Sequence, residues 1–156
     1  MKNIKRAGLV ALFIVIAFLP SLSAVFVKTG GWYAAVLDKP SWNPPNWIFG
    51  PVWTMLYILI GLAGYFAWTR GNREDRSTAF NVYGAQLLLN ALWTPLFFGL
   101  HRINWALADL VMMWFMILFN IVLFSQRSRL AAWLLIPYLL WVSFAGVLNA
   151  AIVMLN

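Results

Sequence analysis

Five stretches without a charged side chain divide the chain: Ala7 to Val27, Pro40 to Thr69, Ser77 to Leu100, Ile103 to Gln126 with one break at Asp109, and Leu130 to Asn156. Each is long enough for the ~20 residues that cross a hydrocarbon layer ~30 Å thick, and in lipid a helix satisfies its own backbone hydrogen bonds. With polar ends trimmed, the pattern predicts helices at about 6–27, 44–69, 78–99, 104–125 and 130–153. The expected fold is an all-α integral membrane protein, a single domain over residues 1–156, built as a five-transmembrane-helix bundle. Its only long connection, Lys28 to Asn43, lies outside the membrane.

Composition agrees with the pattern. Hydrophobic residues make up 63% of the chain and charged ones 10%, with a mean hydropathy of +0.81, whereas a soluble domain carries about 25% charge. The net charge of +7 does not point to nucleic acid, because the basic residues sit in short gaps and form no face that tracks phosphates. The bilayer is the expected partner. Lys2, Lys5, Arg6, Arg70, Arg73, Arg76, Arg127 and Arg129 fall on one side, and Lys28, Lys39 and Arg102 on the other. This bias predicts a multi-pass protein with a cytoplasmic N-terminus and with the first loop and C-terminus outside. The first run also fits a cleaved signal peptide, with "SLSA" (Ser21 to Ala24) before the cut, but its apolar stretch continues through Val27.

The inventory of reactive groups is small. With no cysteine and one histidine, neither a disulfide nor a closed zinc site is expected, and no metal site is assigned. The acids are Asp38, Glu74, Asp75 and Asp109, and Glu74 and Asp75 lie in a loop beside Arg73 and Arg76. No carboxylate dyad, nucleophile–base pair or phosphate loop is visible, and Thr94 and Ser143 have no evident base. Asp109, some two turns into a membrane helix, is costly there. It reads either as an interfacial acid, free or paired with Arg102, or as a ligand contact. His101 reads as loop surface, with haem ligation the alternative. Small residues (Ala17, Ser21 and Ala24; Gly61, Gly64 and Ala67; Gly146 and Ala150) mark close helix contacts, within the bundle or in a homodimer.

Helical spacing places Trp53 with Tyr57, Asn90 with Trp93 and Phe97, and Trp141 with Ala145 on shared faces. Turned inward together with Trp114, they line an aromatic cavity with Gln86, Asn90 and Asn149 as polar handles, suited to a large flat apolar ligand. Turned outward, they are packing or lipid contacts. The stretch "DKPSWNPPNWIFGPVW" (Asp38 to Trp53) reads as a helix start, with Asn43 as cap, Pro44 and Pro45 in the first turn and Pro51 bending the helix. Trp42 and Trp47 suit a headgroup belt.

"WYAAVLDKPSWNPPNWIFGPVWTMLY" resembles the first-loop and second-helix signature of the tryptophan-rich sensory protein or translocator protein (TspO/MBR, peripheral-type benzodiazepine receptor) family. "QLLLNALWTPLFFG", "MMWF" and "IPYLLWVSFAGVLN" resemble its third, fourth and fifth helices, in order. Two departures stand out: one extra residue between Trp32 and Lys39, and no Lys or Arg after Tyr138 to complete a sterol-recognition pattern. The resemblance implies a receptor or sensor binding porphyrins such as protoporphyrin IX and other hydrophobic ligands, regulating or carrying them, with the first loop as lid. It implies Tyr33 and Pro44 in the lid, and Trp53, Asn90, Trp93, Phe97, Trp114, Trp141 and Ala145 in the wall, to which spacing adds Tyr57. No cofactor is required, porphyrin being ligand or substrate. The alternative is an enzyme that degrades porphyrin with light and oxygen through Trp53 and Trp141. Transport has no support from an inverted repeat or from intramembrane charges.

Overall fold

The computed structural model describes residues 2–27, 31–70 and 76–156, and these contain six α-helices and no strand. The helices are α1 (Lys2–Phe18), α2 (Gly31–Ala35), α3 (Phe49–Arg70), α4 (Arg76–Thr94), α5 (Ile103–Arg127) and α6 (Arg129–Leu155). Four segments, Ile4–Phe26, Asn46–Arg70, Ile103–Arg127 and Arg129–Leu155, are long and apolar enough to cross a bilayer. The fifth long helix, α4, is not among them because Asn81, Gln86 and Asn90 lower its hydropathy. Helicity and membrane character are therefore as expected, while the fifth span is apparent by length only. Lys28, Arg73, Glu74 and Asp75 lie outside the described residues.

Two predicted helices change geometry along their length. The first tightens to a 3₁₀-helix over Leu19–Phe26, since Pro20 withholds an N–H. The hydroxyls of Ser21 and Ser23 also donate to the carbonyls of Phe18 (2.7 Å) and Pro20 (2.8 Å). The third passes from α4 into a π-helical turn, Pro95–Gly99, where the amide of Leu100 reaches the Pro95 carbonyl at 2.8 Å.

The predicted start of the second helix is corrected. The helix does not begin at Pro44 but after Pro45, with a short 3₁₀ turn at Asn46–Ile48 and α-helix from Phe49. Asn43 does not cap it: its Oδ1 accepts from the Tyr33 hydroxyl at 2.6 Å and its Nδ2 donates to the Pro44 carbonyl at 3.2 Å. Pro51 falls in the first turn of α3, where a missing N–H removes no bond of the α-helix, so no bend is required there.

The helices pack as a ring. α1 lies on α3, α3 on α6, α6 on α5, α5 on α4, and α4 on the 3₁₀ continuation of α1. The small residues do the work expected of them at the α1–α3 crossing. Gly61, Gly64 and Ala67 are buried, and a Cβ on Gly61 would stand 2.7 Å from Ile14 Cα. The core runs down the ring's centre through Leu56, Ile60, Tyr83, Met113, Phe124 and Tyr138. A second cluster sits at the end bearing the first loop, where Tyr33 and Leu37 insert among Phe97, Ala106, Leu148 and Ile152. The loop therefore closes that end of the ring. Its C-terminal side is tied to α6: the Asn156 side chain accepts from the Asp38 amide and donates to its carbonyl, each at 3.0 Å.

Candidate functional site

Beneath the loop lies a cavity of about 400 Å³, continuous in its walls with a deeper chamber of about 160 Å³. The head of α3 supplies Phe49 and Trp53 to both, the end of α4 supplies Trp93 and Thr94 to both, and Ala145 of α6 borders both. Tyr33, Phe97, Phe98, Leu148, Asn149 and Ile152 also line the upper chamber, with Ala24, Asn46 and Gly50. Tyr57, Asn90, Leu110, Met113 and Trp141 also line the lower one, with Ser21 and Ala24. The upper volume falls within the 300–1,000 Å³ usual for small-molecule sites.

The rings are held in fixed attitudes. Trp53 stacks on Tyr57 (5.4 Å, 28°) and Trp93 on Phe97 (5.1 Å, 24°), while Phe49 meets Trp141 edge-on at 5.8 Å. A hydrogen-bonded chain fixes the floor. The Tyr57 hydroxyl donates to Asn90 Oδ1 at 2.9 Å, Asn90 Nδ2 donates to the Tyr138 hydroxyl at 2.9 Å, and that hydroxyl donates to Met113 Sδ at 3.3 Å. All four residues are buried, and removing Asn90 strands the Tyr57 hydroxyl and leaves that of Tyr138 only its bond to Met113 Sδ.

Three buried polar atoms of wall residues have no partner among the described residues: the indole nitrogens of Trp93 and Trp141, and Asn149 Oδ1. Leaving such a group unpaired in an apolar setting costs on the order of 1–3 kcal/mol. A guest that recovers that cost must accept from the indoles, donate to Asn149 and draw these buried atoms to the cavity surface. Among the described residues no Asp, Glu, Lys, Arg or His belongs to either wall, so what the chamber offers is shape, aromatic faces and neutral hydrogen-bonding groups.

The first loop is internally tied. Lys39 Nζ donates to the carbonyls of Tyr33 (2.7 Å) and Leu37 (2.6 Å), and Trp32 stacks on His101 at 4.1 Å and 19°. Burial raises Tyr33 above the ordinary tyrosine pKa of 10.0, against the lowering effect of its hydrogen bond to Asn43. The phenol therefore remains a donor at neutral pH.

Eight of the ten expected residues are brought together: Tyr33, Trp53, Tyr57, Asn90, Trp93, Phe97, Trp141 and Ala145. Two are not. Trp114 is diverted to a hydrogen bond from its Nε1 to Ser143 Oγ at 2.8 Å, and Pro44, expected in the lid rather than the wall, lies in the loop before α3. Gln86 is buried away from the walls with both side-chain polar atoms unpartnered. Asp109 is buried behind the lower wall, one residue before Leu110, while Arg102 is exposed. His101, exposed and left-handed at φ 55°, is outside the cavity.

Sequence reasoning overlooked Phe49, one turn before Trp53, and Leu148 and Ile152, which flank the expected Asn149 on the stripe that continues Ala145; helical spacing carried the signal for both. Phe98 had no such signal. It faces the same chamber as Phe97 only because the π turn widens the helix there.

Residues 9–155 match the model of the TspO/MBR family. The chain is 41% identical over 130 residues to the tryptophan-rich protein TspO of Chlorobaculum tepidum, covering 83% of this chain and 82% of that one. It is 46% identical over 125 residues to the TspO of Archaeoglobus fulgidus, covering 80% of each chain. It is also 43% identical over 120 residues to the translocator protein of Homo sapiens, covering 76% of this chain and 70% of the human one.

Proposed function

The chain belongs to the TspO/MBR family, and from that premise we propose that this integral membrane protein is a receptor that binds a flat tetrapyrrole of the protoporphyrin IX type in the two-chambered cavity. The observation that carries the proposal is the wall itself: stacked aromatic pairs around a neutral space with three unpaired polar atoms. The reading includes five membrane spans, with α4 burying Gln86 and Asn90 inside the ring, and a cytoplasmic N-terminus as the charge bias indicates. It also includes self-association through α6, where nothing lies within 4 Å of a Cβ on Gly146. Titration of the reconstituted protein with protoporphyrin IX in the dark is expected to quench tryptophan fluorescence to saturation at about one ligand per chain. Linear, unsaturable quenching refutes it.

A second reading rests on Trp53 and Trp141 sharing the lower chamber. Two indoles against one bound porphyrin suit its light- and oxygen-dependent oxidation without an acid–base pair. Illumination of the aerated complex is then expected to convert porphyrin faster than the free dye bleaches, and Trp53→Phe and Trp141→Phe to slow conversion more than binding.

A further inference from the structure

The upper cavity is not shut on all sides. Among its fourteen wall residues only Ala24, Asn46 and Gly50 are exposed, and the remainder are buried or half-buried. These three belong to two neighbouring segments, the 3₁₀ stretch Leu19–Phe26 and the head of the second long helix at Asn46–Gly50. In the deeper chamber the only exposed wall residue is again Ala24.

The packing explains the opening. α1 rides on α3 as far as Phe18, but after Pro20 the 3₁₀ continuation lies on α4. The chain thus leaves α3 just where the cavity begins. A 3₁₀-helix repeats every three residues, so Ser21 and Ala24 share an edge, and both border the lower chamber. On the facing side, no described residue lies within 4 Å of a Cβ on Gly50. The gap therefore lies between two small residues, while the lid end is filled by Tyr33 and Leu37.

The surroundings identify what lies outside. Leu22 is 54% exposed, Val25 76%, Phe26 87% and Trp47 72%. Such a rim faces acyl chains with a tryptophan at the interface rather than bulk water. We infer that the gap between the 3₁₀ segment and the head of α3 is a lateral portal, through which hydrophobic ligands pass between the cavity and the adjoining leaflet without the lid lifting. This rests on the cavity being a ligand site, and it adds the route and the phase from which the ligand comes.

The test uses the full chain in phosphatidylcholine vesicles loaded with protoporphyrin IX, with association and release followed by tryptophan quenching. Gly50→Phe and Ala24→Phe place a ring in the gap and are expected to slow both rates at least tenfold, more than they change their ratio. His101→Ala, which frees Trp32 of the lid, is expected to leave both rates within twofold. Because the chain has no cysteine, an Ala24→Cys, Gly50→Cys protein can be loaded and then bridged by a reducible bis-maleimide. Bound porphyrin is expected to stay until the linker is cut. Wild-type release from the bridged protein, or rates that follow the lid variant and ignore Gly50→Phe, overturns the portal. Absence of saturable quenching in the unaltered protein instead overturns the ligand reading.

Discussion

Replacing Gly61 by alanine tests the helix crossing that sets the shape of the cavity. The new Cβ would stand 2.7 Å from Ile14 Cα and 3.0 Å from its amide nitrogen, where carbon atoms normally keep about 3.5–4.0 Å. The obstacle is backbone, so no rotamer relieves it and α1 must move off by roughly 1 Å. Overpacking of this kind costs roughly 1–3 kcal/mol, and the rigid partner places it toward the upper end. Against that stands a gain of about 1 kcal/mol from alanine in a helix interior, leaving a net loss of about 1–2 kcal/mol. Gly84 on α4 is the control, with nothing within 4 Å of its Cβ position, so Gly84→Ala keeps the gain alone. For a chain of this size 1 kcal/mol corresponds to about 2–4 °C in Tm. Thermal melts in one detergent are expected to show Gly61→Ala several degrees below wild type and Gly84→Ala a few degrees above. Because α1 runs on into the segment bearing Ser21 and Ala24, Gly61→Ala should also alter porphyrin affinity while Gly84→Ala should not. A Gly61→Ala protein that melts at or above wild type refutes the crossing.

Other perturbations separate the floor, wall and lid. Asn90→Leu leaves the Tyr57 and Tyr138 hydroxyls without their bridge and is expected to cost about 2 kcal/mol, seen as a lower melting temperature of the ligand-free protein. Trp141→Phe removes an indole nitrogen that has no partner, so stability should fall by less than about 1 kcal/mol while affinity for an acceptor-bearing ligand drops roughly tenfold; equal losses in both would argue against a ligand contact there. Tyr33→Phe deletes the 2.6 Å bond to Asn43 and is expected to loosen the lid by about 1 kcal/mol, read as faster exchange of lid amides. The raised pKa of Tyr33 favours the protonated phenol in the folded state. Its contribution is complete below the ordinary value of 10.0 and lost only as pH rises through the higher folded value. Lid exchange, corrected for intrinsic chemistry, should therefore show no tyrosine transition between about pH 6 and 9.

The parts of the fold legible in the sequence are those governed by lipid. Apolar run length located the long helices to within a few residues, because a helix in hydrocarbon has no competing backbone partner. The ends were harder. Asn43 looked like a cap by residue type, but the Tyr33 hydroxyl, distant by ten residues, claimed its side chain. The site followed the same division. Helical spacing put Trp53 with Tyr57, and Asn90 with Trp93 and Phe97, on shared faces, and the family resemblance turned those faces inward, since an inward face carries all its members with it. Trp114 stands outside the walls, its N–H taken by a half-buried serine on α6 that spacing could not reveal. The exposed flank at Ala24 and Gly50 was invisible, since it depends on which neighbour the first helix follows after Pro20.

The π turn at Pro95–Gly99 bears on how such a cavity changes size. A π turn holds one residue more than an α turn, so it marks a point where chain length is adjustable without disturbing the rest of a helix. Deleting a residue between Pro95 and Gly99 would restore the α spacing and withdraw one of the two phenyl rings, Phe97 or Phe98, from the upper chamber. Guest volume in this scaffold is thus open to variation by single-residue deletion, a change that substitution scans never sample.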